Sequence, residues 1–488
     1  MKPPLSVSLV GVFALLLGVL AVGVFAFFQQ LVHGDVVTGM RTLGAGGAVW
    51  GLYVVMDGFF LGVGVAVMAC ACFARFSRDR NMEAVARIAM PVAITCFLSA
   101  ALCVLADQGR PFVALRNLAY YARPQSPMFV TFTSVAAVCL FASLVHCVLA
   151  RRPDLAEYAK RASSWQCLQR LLAAGYRGSL GERYRRQKVG FWMSLFMLPA
   201  LLAPLTALAI IFTVRPTRPL LFTLLEVAAF LLLSGAGGIG LLLGAAALVG
   251  RLAGREAGLG PRGFSRLGNA LLLTLSLSQL SIVAAVIASL MSNEPSASGY
   301  ARALLGHAYA PFFWSEVAIG FVATALLWRK SRRRHLGSGW VIGAGLLTQV
   351  TVFLHHYLLL VAWQTHGLAL PYHPGVYAPT WIECAVVLGI VALSVLLLLP
   401  LVRLIPFAPQ VFETHPIEGR GGDRRRSVVT TLWFIDGLVL AVVGFALSAR
   451  AGRPSFLDSI LVGSPLVFIV GLAVLATTGA VYELLPER

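Results

Sequence analysis

The sequence predicts an all-α polytopic membrane protein, and its composition and apolar runs support this fold class. Of the 488 residues, 58% are hydrophobic and only 12% are charged, and the mean hydropathy is +0.83. A transmembrane helix needs about 20 predominantly apolar residues to cross about 30 Å of hydrocarbon, and the chain contains many uncharged runs of that length. In such a protein, an excess of lysine and arginine is expected in the cytoplasmic loops, and this accounts for the net charge of +19. No nucleic-acid partner is expected.

Twelve apolar runs are predicted to span the membrane. The first follows only Lys2 and resembles a signal peptide, but its apolar stretch is longer than the usual h-region of about 7 to 15 residues. We therefore count it as a span. The twelve predicted spans are 5–28, 47–74, 88–106, 128–150, 190–213, 219–250, 267–291, 307–328, 338–363, 381–402, 428–449 and 458–481.

The distribution of lysine and arginine predicts how these spans are oriented, because cytoplasmic loops carry an excess of both residues. With the N-terminus placed in the cytoplasm, 30 of the 39 basic residues fall on the cytoplasmic side. Both termini are therefore predicted to be cytoplasmic. The same basic loops can attract anionic headgroups of the lipid bilayer, although topology is the better-supported interpretation of their charge.

Two connections and one glycine cluster organise the chain. The long basic loop 151–189 separates the first four spans from the rest, and the Pro- and Gly-rich stretch 403–427 is typical of a linker before two last spans. Four glycines in the sixth span are expected to let a neighbouring helix approach closely. These are Gly235, Gly237, Gly238 and Gly240.

Six ionisable side chains interrupt the apolar runs, and the predicted topology places all six in the half of the membrane nearer the outer face. They are Asp57, Glu226, Glu316, His355, His356 and Glu383. An intramembrane charge costs about 2.5 to 3.5 kcal/mol, so such a cluster favours a site for protons, ions or a polar ligand. Desolvated carboxyl groups and histidines are suited to proton exchange near neutral pH.

Each of these residues also has a structural interpretation. Asp107 and Glu383 lie near the interface and are expected to reach water, and a buried Glu or His can tie helices together through hydrogen bonds. His146 and Asp436 lie in the inner halves of their spans, apart from the cluster. The cysteines predict no metal site, since seven of the eight lie in apolar spans and no iron–sulfur or zinc spacing is present.

Four segments carry a resemblance to a known family. They are Gly34–Met40 with Trp50–Tyr53, Asp107–Pro111 with Asn117 and Ser126–Met128, Trp314–Glu316, and Tyr377–Glu383. In this order, and on the predicted outer side, they resemble the NrfD family, the membrane subunits of polysulfide reductase and of HybB-type hydrogenases. The similarity covers about 1–407 and fits the longer, ten-helix branch of the family.

The resemblance implies a quinone-reactive subunit of a respiratory oxidoreductase in a bacterial inner membrane, built on two four-helix bundles. It implies no cofactor of its own, with menaquinone or ubiquinone as substrate. The implied partners are a ferredoxin-like iron–sulfur subunit on the outer face and a further redox subunit of molybdopterin, hydrogenase or cytochrome type. The corresponding parts of the chain are a peripheral helix and outer loop (1–46), the two bundles (47–213 and 214–363), a tenth helix (364–407), and a linker with two additional helices (408–488).

We expect the quinone site in the first bundle. Asp57 or Asp107 would accept the proton released from quinol, and Arg110 would orient Asp107 or the headgroup, unless it only braces its loop. Tyr53 and Asn117 are the candidate hydrogen-bond donors. Relatives often carry an Asp early in the fourth span, where this chain has Thr131, Thr133 and Ser134, so Asp57 is expected to replace it.

A path for protons towards the cytoplasm is expected in the second bundle. Its candidate residues are Glu226, Gln279, Glu316, His355 and His356, and the two histidines are assigned without help from the family. Two other classes of protein are considered. A secondary transporter would require inverted repeats with broken helices, which are not detected. A di-haem cytochrome b would require histidines facing each other at matching depths, whereas His146 lies on the inner side, so haem is not expected.

Overall fold

The protein is an all-α membrane protein, as the sequence predicts. The structure is a computed structural model that describes residues 7–40, 47–76, 80–114, 116, 135–160, 165–213, 220–252, 259–332, 338–366, 375, 377–404, 424–448 and 466–485. Within these ranges, eleven helices are long and apolar enough to cross a membrane. The remaining predicted span, 128–150, begins outside the described residues and is helical from Val135 onward.

The described helices follow the predicted order, with one additional helix after the seventh predicted span and one in the loop 151–189. They are α1 (Val7–His33), α2 (Leu52–Phe76), α3 (Arg80–Asp107), α4 (Ser143–Tyr158, preceded by the π-helical segment Val135–Ala142), α5 (Gln166–Ala173), α6 (Leu180–Thr213), α7 (Leu220–Leu252), α8 (Pro261–Leu290), α9 (Pro295–Gly306), α10 (Ala310–Arg332), α11 (Gly339–Tyr357, continued by the π-helical Leu358–Ala362 and by Trp363–His366), α12 (Trp381–Leu404), α13 (Arg424–Ser448) and α14 (Leu466–Leu484).

Helix α6 begins ten residues before the predicted start of its span, and capping explains the difference. Ser179 Oγ accepts a hydrogen bond from Glu182 N (3.2 Å), while Glu182 Oε2 accepts one from Ser179 N (3.1 Å). This reciprocal capping box satisfies N–H groups that a helix start leaves unpaired. Pro261 and Pro295 similarly begin α8 and α9, the latter of which was not predicted. The prediction followed apolar composition, whereas helix starts depend on polar side chains and proline.

The eight helices of the two predicted bundles pack in two groups that meet along α2. Helix α2 contacts α3 and α6 on one side and α7 and α11 on the other, while α8 and α10 complete the second group. As expected from the glycine cluster, Gly237 and Gly238 lie against α2, and a Cβ on Gly238 would lie 2.9 Å from Val63 O. Gly240 contacts Gly345 of α11, whereas a Cβ added to Gly235 would meet no atom of another described helix within 4 Å. The glycines therefore fix how closely the two bundles approach.

The first and tenth predicted spans form a pair. Helix α1 packs along α12 with Gly23 against Gly389, and α12 also packs on α3. Helix α1 is largely exposed on its outer surface, as expected for a helix at the lipid boundary. The pair therefore brings the loop after α1 and the start of α12 next to the first bundle.

The two C-terminal helices form a hairpin that docks on the first bundle. Helix α14 contacts the π-helical segment and α6, and Gly479 lies against Met193. At the end of this contact, Arg152 donates to Glu483 Oε1 at 2.6 Å, and both side chains are buried. Arg152 also donates to the carbonyl oxygens of Ala173 and Ala174, each at 3.1 Å. The hairpin is thus an integral part of the packed molecule.

Candidate functional site

Two polar clusters lie at the end of the molecule where α2, α7 and α12 begin, which we call the site end. The opposite end, where α2, α7 and α10 finish with Arg75, Arg251 and Arg332, is called the basic end. One cluster belongs to the first bundle and contains Asp57 and Asp107. The other belongs to the second bundle.

Asp57 and Asp107 lie within electrostatic range of each other, on neighbouring helices. Asp57 stands on the second turn of α2, and Asp107 is the last residue of α3. Both are partly buried, and Asp107 Oδ1 is buried without a hydrogen-bond partner in the described part of the chain. A third carboxylate adjoins them, because Asp35 lies against Gly109, whose φ is +62° and whose missing Cβ leaves room for that carboxylate. The two predicted proton acceptors are therefore brought together in one acidic cluster.

Tyr53, a predicted donor to the quinone, has a hydrogen-bond partner within the protein. It is fully buried, and its hydroxyl donates to Gln30 Oε1 at 2.7 Å. Gln30 Nε2 in turn donates to Asp35 Oδ1 (3.1 Å) and Ala106 O (3.0 Å). Sequence reasoning missed Gln30; its only signal was a polar amide near the end of an otherwise apolar span. The network fixes α1, α2 and α3 around the acidic cluster.

The structure does not place the two remaining first-bundle candidates, Arg110 and Asn117, in contact with the acidic cluster among the described residues. Arg110 is exposed in the turn after α3, and no described hydrogen bond or ion pair joins it to Asp107. The Arg110 carbonyl oxygen accepts a hydrogen bond from Ala114 N at 3.0 Å, as in a helical turn. Asn117 lies outside the described residues, as do Thr131, Thr133 and Ser134.

Glu383 does not reach water, contrary to the expectation; it is fully buried and holds three backbone segments together. Its Oε2 accepts hydrogen bonds from Gly39 N (2.7 Å) and Thr380 N (2.9 Å), and its Oε1 accepts one from the Tyr377 hydroxyl (2.7 Å). The Tyr377 oxygen accepts a further bond from Leu52 N at 2.6 Å. Burial, together with the Glu383 carboxylate, raises the pKa of Tyr377, so this hydroxyl stays protonated and donates.

The second cluster joins three helices through one histidine. His355 Nδ1 lies 3.0 Å from Glu316 Oε1, and His355 Nε2 lies 3.8 Å from Glu226 Oε2. All three side chains are buried. The His355 ring therefore has a carboxylate near each of its two nitrogens, and burial excludes bulk water from this contact. The cluster therefore places a hydrogen bond between α10 and α11, with the Glu226 carboxylate of α7 3.8 Å from the other ring nitrogen.

Gln279 lies next to this cluster, one turn nearer the basic end. Its Nε2 lies against Gly320, four residues after Glu316 on α10, and beside Thr351, four residues before His355 on α11. That Nε2 is buried and has no hydrogen-bond partner among the described residues. The predicted polar link therefore lies one helical turn from the cluster and is not hydrogen-bonded to Glu316.

His356 faces the first bundle instead of the second cluster. Its Nδ1 is 2.7 Å from Val352 O, and its ring packs on Phe230 with centroids 4.6 Å apart. Its ring edge lies against Gly58, where a Cβ would approach His356 Cδ2 to 3.2 Å. Because Gly58 follows Asp57, His356 lies at the junction between the two clusters.

His146 lies in the other half of the molecule, near the basic end. Its Nε2 is 3.3 Å from Ser194 Oγ, and the ring is within electrostatic range of Arg75. His146 and the histidines of α11 therefore do not face each other as a pair of axial haem ligands would.

Comparisons with known proteins match most of the chain. A family model described as "Polysulphide reductase, NrfD" matches residues 42–367, a range that contains Asp57, Asp107 and the second cluster. A curated relative from Halobacterium salinarum, named as a putative membrane subunit of dimethyl sulfoxide reductase, is 27% identical over 426 residues. That alignment covers 81% of this chain and 90% of the relative.

Proposed function

Since this chain belongs to the polysulphide reductase NrfD family, we propose that it is a quinone-interacting membrane subunit of a respiratory oxidoreductase. The name of the Halobacterium relative, a membrane subunit of a reductase, agrees with the role of a membrane subunit in a redox complex. In this proposal the subunit exchanges electrons between the membrane quinone pool and a ferredoxin-like iron–sulfur subunit at the site end, which faces outward. Both termini are on the cytoplasmic side.

The observation that carries the proposal is the carboxylate pair of Asp57 and Asp107, with Asp107 Oδ1 buried and unpartnered among the described residues. Oxidation of a quinol to a quinone releases two electrons and two protons, so a site for it needs proton acceptors beside an apolar slot. A carboxylate at the end of α3 can accept a quinol proton while the electrons leave to the iron–sulfur partner. Arg110 then supplies positive charge at the mouth of the site.

Exposed apolar side chains beside this cluster support the position of the partner. Val36 is 80% exposed and Phe112 is 75% exposed, and they flank Asp35 and the turn at Gly109. Large apolar side chains surrounded by polar groups are typical of a protein interface. A subunit docked there would bring its cluster close to the quinone headgroup, and a further redox subunit of molybdopterin, hydrogenase or cytochrome type would complete the electron path.

We expect Asp57→Asn and Asp107→Asn to reduce quinol oxidation by the purified complex at least about tenfold, because a general acid or base contributes about 10²–10⁴ in rate. Quinone content and subunit composition should be unchanged. The matched control is Glu294→Gln, which removes an exposed carboxylate before α9. Full turnover in both aspartate variants would refute the assignment, and a complex with neither quinone nor an iron–sulfur partner would favour the transporter alternative.

We also propose that the second cluster carries protons from the site end towards the cytoplasm. Its support is the bridge from Glu316 through His355 to Glu226, with Gln279 one turn deeper. His356, against Gly58, supplies the link to the quinone site.

In liposomes, Glu316→Gln should lower the number of protons moved per quinol oxidised, because the neutral amide cannot take up the proton held by His355. Quinol oxidation measured with an uncoupler should persist. Ser315→Ala, a change at the preceding and more exposed position, is the control. An unchanged proton yield in Glu316→Gln would exclude the path.

A further inference from the structure

A cavity opens at the basic end of the second bundle, far from both polar clusters. Its volume is about 1090 Å³, and it lies between α7, α8, α10 and α11. Its floor is apolar and buried, formed by Gly268, Leu327 and Val341, while its rim is polar. The proposed site for quinone and protons uses none of these residues.

The charged residues that line the described part of the cavity are all basic. Arg251 and Lys330 contribute two cations from the last turns of α7 and α10. Around them stand the polar side chains of Ser265, Asn269, Ser331 and Ser338. None of the described lining residues is acidic. A concave surface whose described residues include two cations and several hydroxyl donors, and no carboxylate, favours an anion with multiple oxygen acceptors.

Four helix ends meet the cavity. Helices α8 and α11 begin there with Pro261 and Gly339, so the positive ends of their dipoles point towards it, while Arg251 and Lys330 offset the negative ends of α7 and α10. We propose that this cavity binds a phosphate group, held by Arg251 and Lys330. The phosphate is supplied either by the headgroup of an anionic phospholipid, whose chains would extend along the apolar floor, or by free phosphate.

The test uses the intact purified complex after removal of bound lipid. Native mass spectrometry would measure retention of phosphatidylglycerol and of phosphatidylcholine, and a radiolabel assay would measure binding of inorganic phosphate. The test variant is Arg251→Gln with Lys330→Gln. Its matched control, Arg262→Gln with Arg266→Gln, removes the same charge from exposed positions of α8 that do not line the cavity.

The test variant should bind the phosphate-bearing ligand about tenfold or more weakly, because it loses two charge-assisted contacts, while the control binds as the natural chain does. Selective loss of phosphatidylglycerol that inorganic phosphate does not displace identifies a lipid headgroup. Loss of radiolabelled phosphate binding identifies the free ion. Equal binding of the phosphate ligand by the test and control variants would overturn the proposal, as would equal retention of phosphatidylcholine and phosphatidylglycerol together with no binding of inorganic phosphate.

Discussion

Replacing Glu383 with alanine is expected to destabilise the protein by about 3–5 kcal/mol and to abolish activity, because it removes a buried carboxylate that accepts at least three hydrogen bonds. The Gly39 and Thr380 amides and the Tyr377 hydroxyl would all lose their partner. Leu52 N, which donates to the Tyr377 oxygen, marks the start of α2 only five residues before Asp57. Loss of the Glu383 hydrogen bonds should therefore also disturb the start of α2 and the proposed quinone site at Asp57.

The effect can be measured as the midpoint of thermal unfolding in detergent, together with limited proteolysis of the segment at Gly34–Met40. Glu294→Ala, an exposed acid at the N-cap of α9, is the control and should leave both readouts unchanged. Glu383→Gln should be intermediate, because its amide keeps one acceptor oxygen but presents N–H groups to donors. A midpoint for Glu383→Ala equal to that of the control would show that Glu383 does not hold these segments.

The second large effect concerns the C-terminal hairpin. Glu483→Ala should cost about 3–5 kcal/mol, because it leaves Arg152 buried without its counter-ion. The hairpin of α13 and α14 should then detach from the π-helical segment and α6 before the rest of the molecule unfolds. Cysteines placed at positions 193 and 479 would report this detachment as a loss of crosslinking. A Cβ added to Gly479 would lie 2.7 Å from Met193 Sδ, so the two cysteines are close while the hairpin is docked.

An apolar replacement tests whether the charge or the packing is responsible. The double variant Arg152→Met with Glu483→Leu should recover part of the lost stability, since no uncompensated buried charge remains. Recovery should be incomplete, because Arg152 also donates to Ala173 O and Ala174 O. Arg170→Ala, at an exposed position of α5, is the control. Stability of Glu483→Ala equal to that of Arg170→Ala would contradict the role of this ion pair.

Depth along each helix could be read from the sequence. Glu316 and His355 were expected at one level from their positions in oppositely directed spans, and they form a 3.0 Å contact. Gln279 was likewise expected near mid-depth, and it lies one turn below that contact. These positions can be predicted because an α-helix rises about 1.5 Å per residue. The position of a residue within an apolar span therefore sets its depth along the helix axis.

The direction in which a side chain points could not be read in this way. His355 and His356 are adjacent in sequence, yet one contacts Glu316 and the other faces α2 at Gly58. Glu383 was expected to meet water, but its partners Gly39 and Tyr377 come from two separate loops that fold over it. Gln30 entered the first cluster only because α1 and α12 pack beside α3.

The sequence by itself determined the all-α membrane class, the order of the spans and the depth of the ionisable residues. These depend on the free energy of moving each residue from water into hydrocarbon, which is a local property of the chain. Only the tertiary structure decided which residues share a cluster and which serve as structural ties. That choice depends on the rotation and pairing of helices, which close contacts such as Gly240 with Gly345 set between segments about a hundred residues apart.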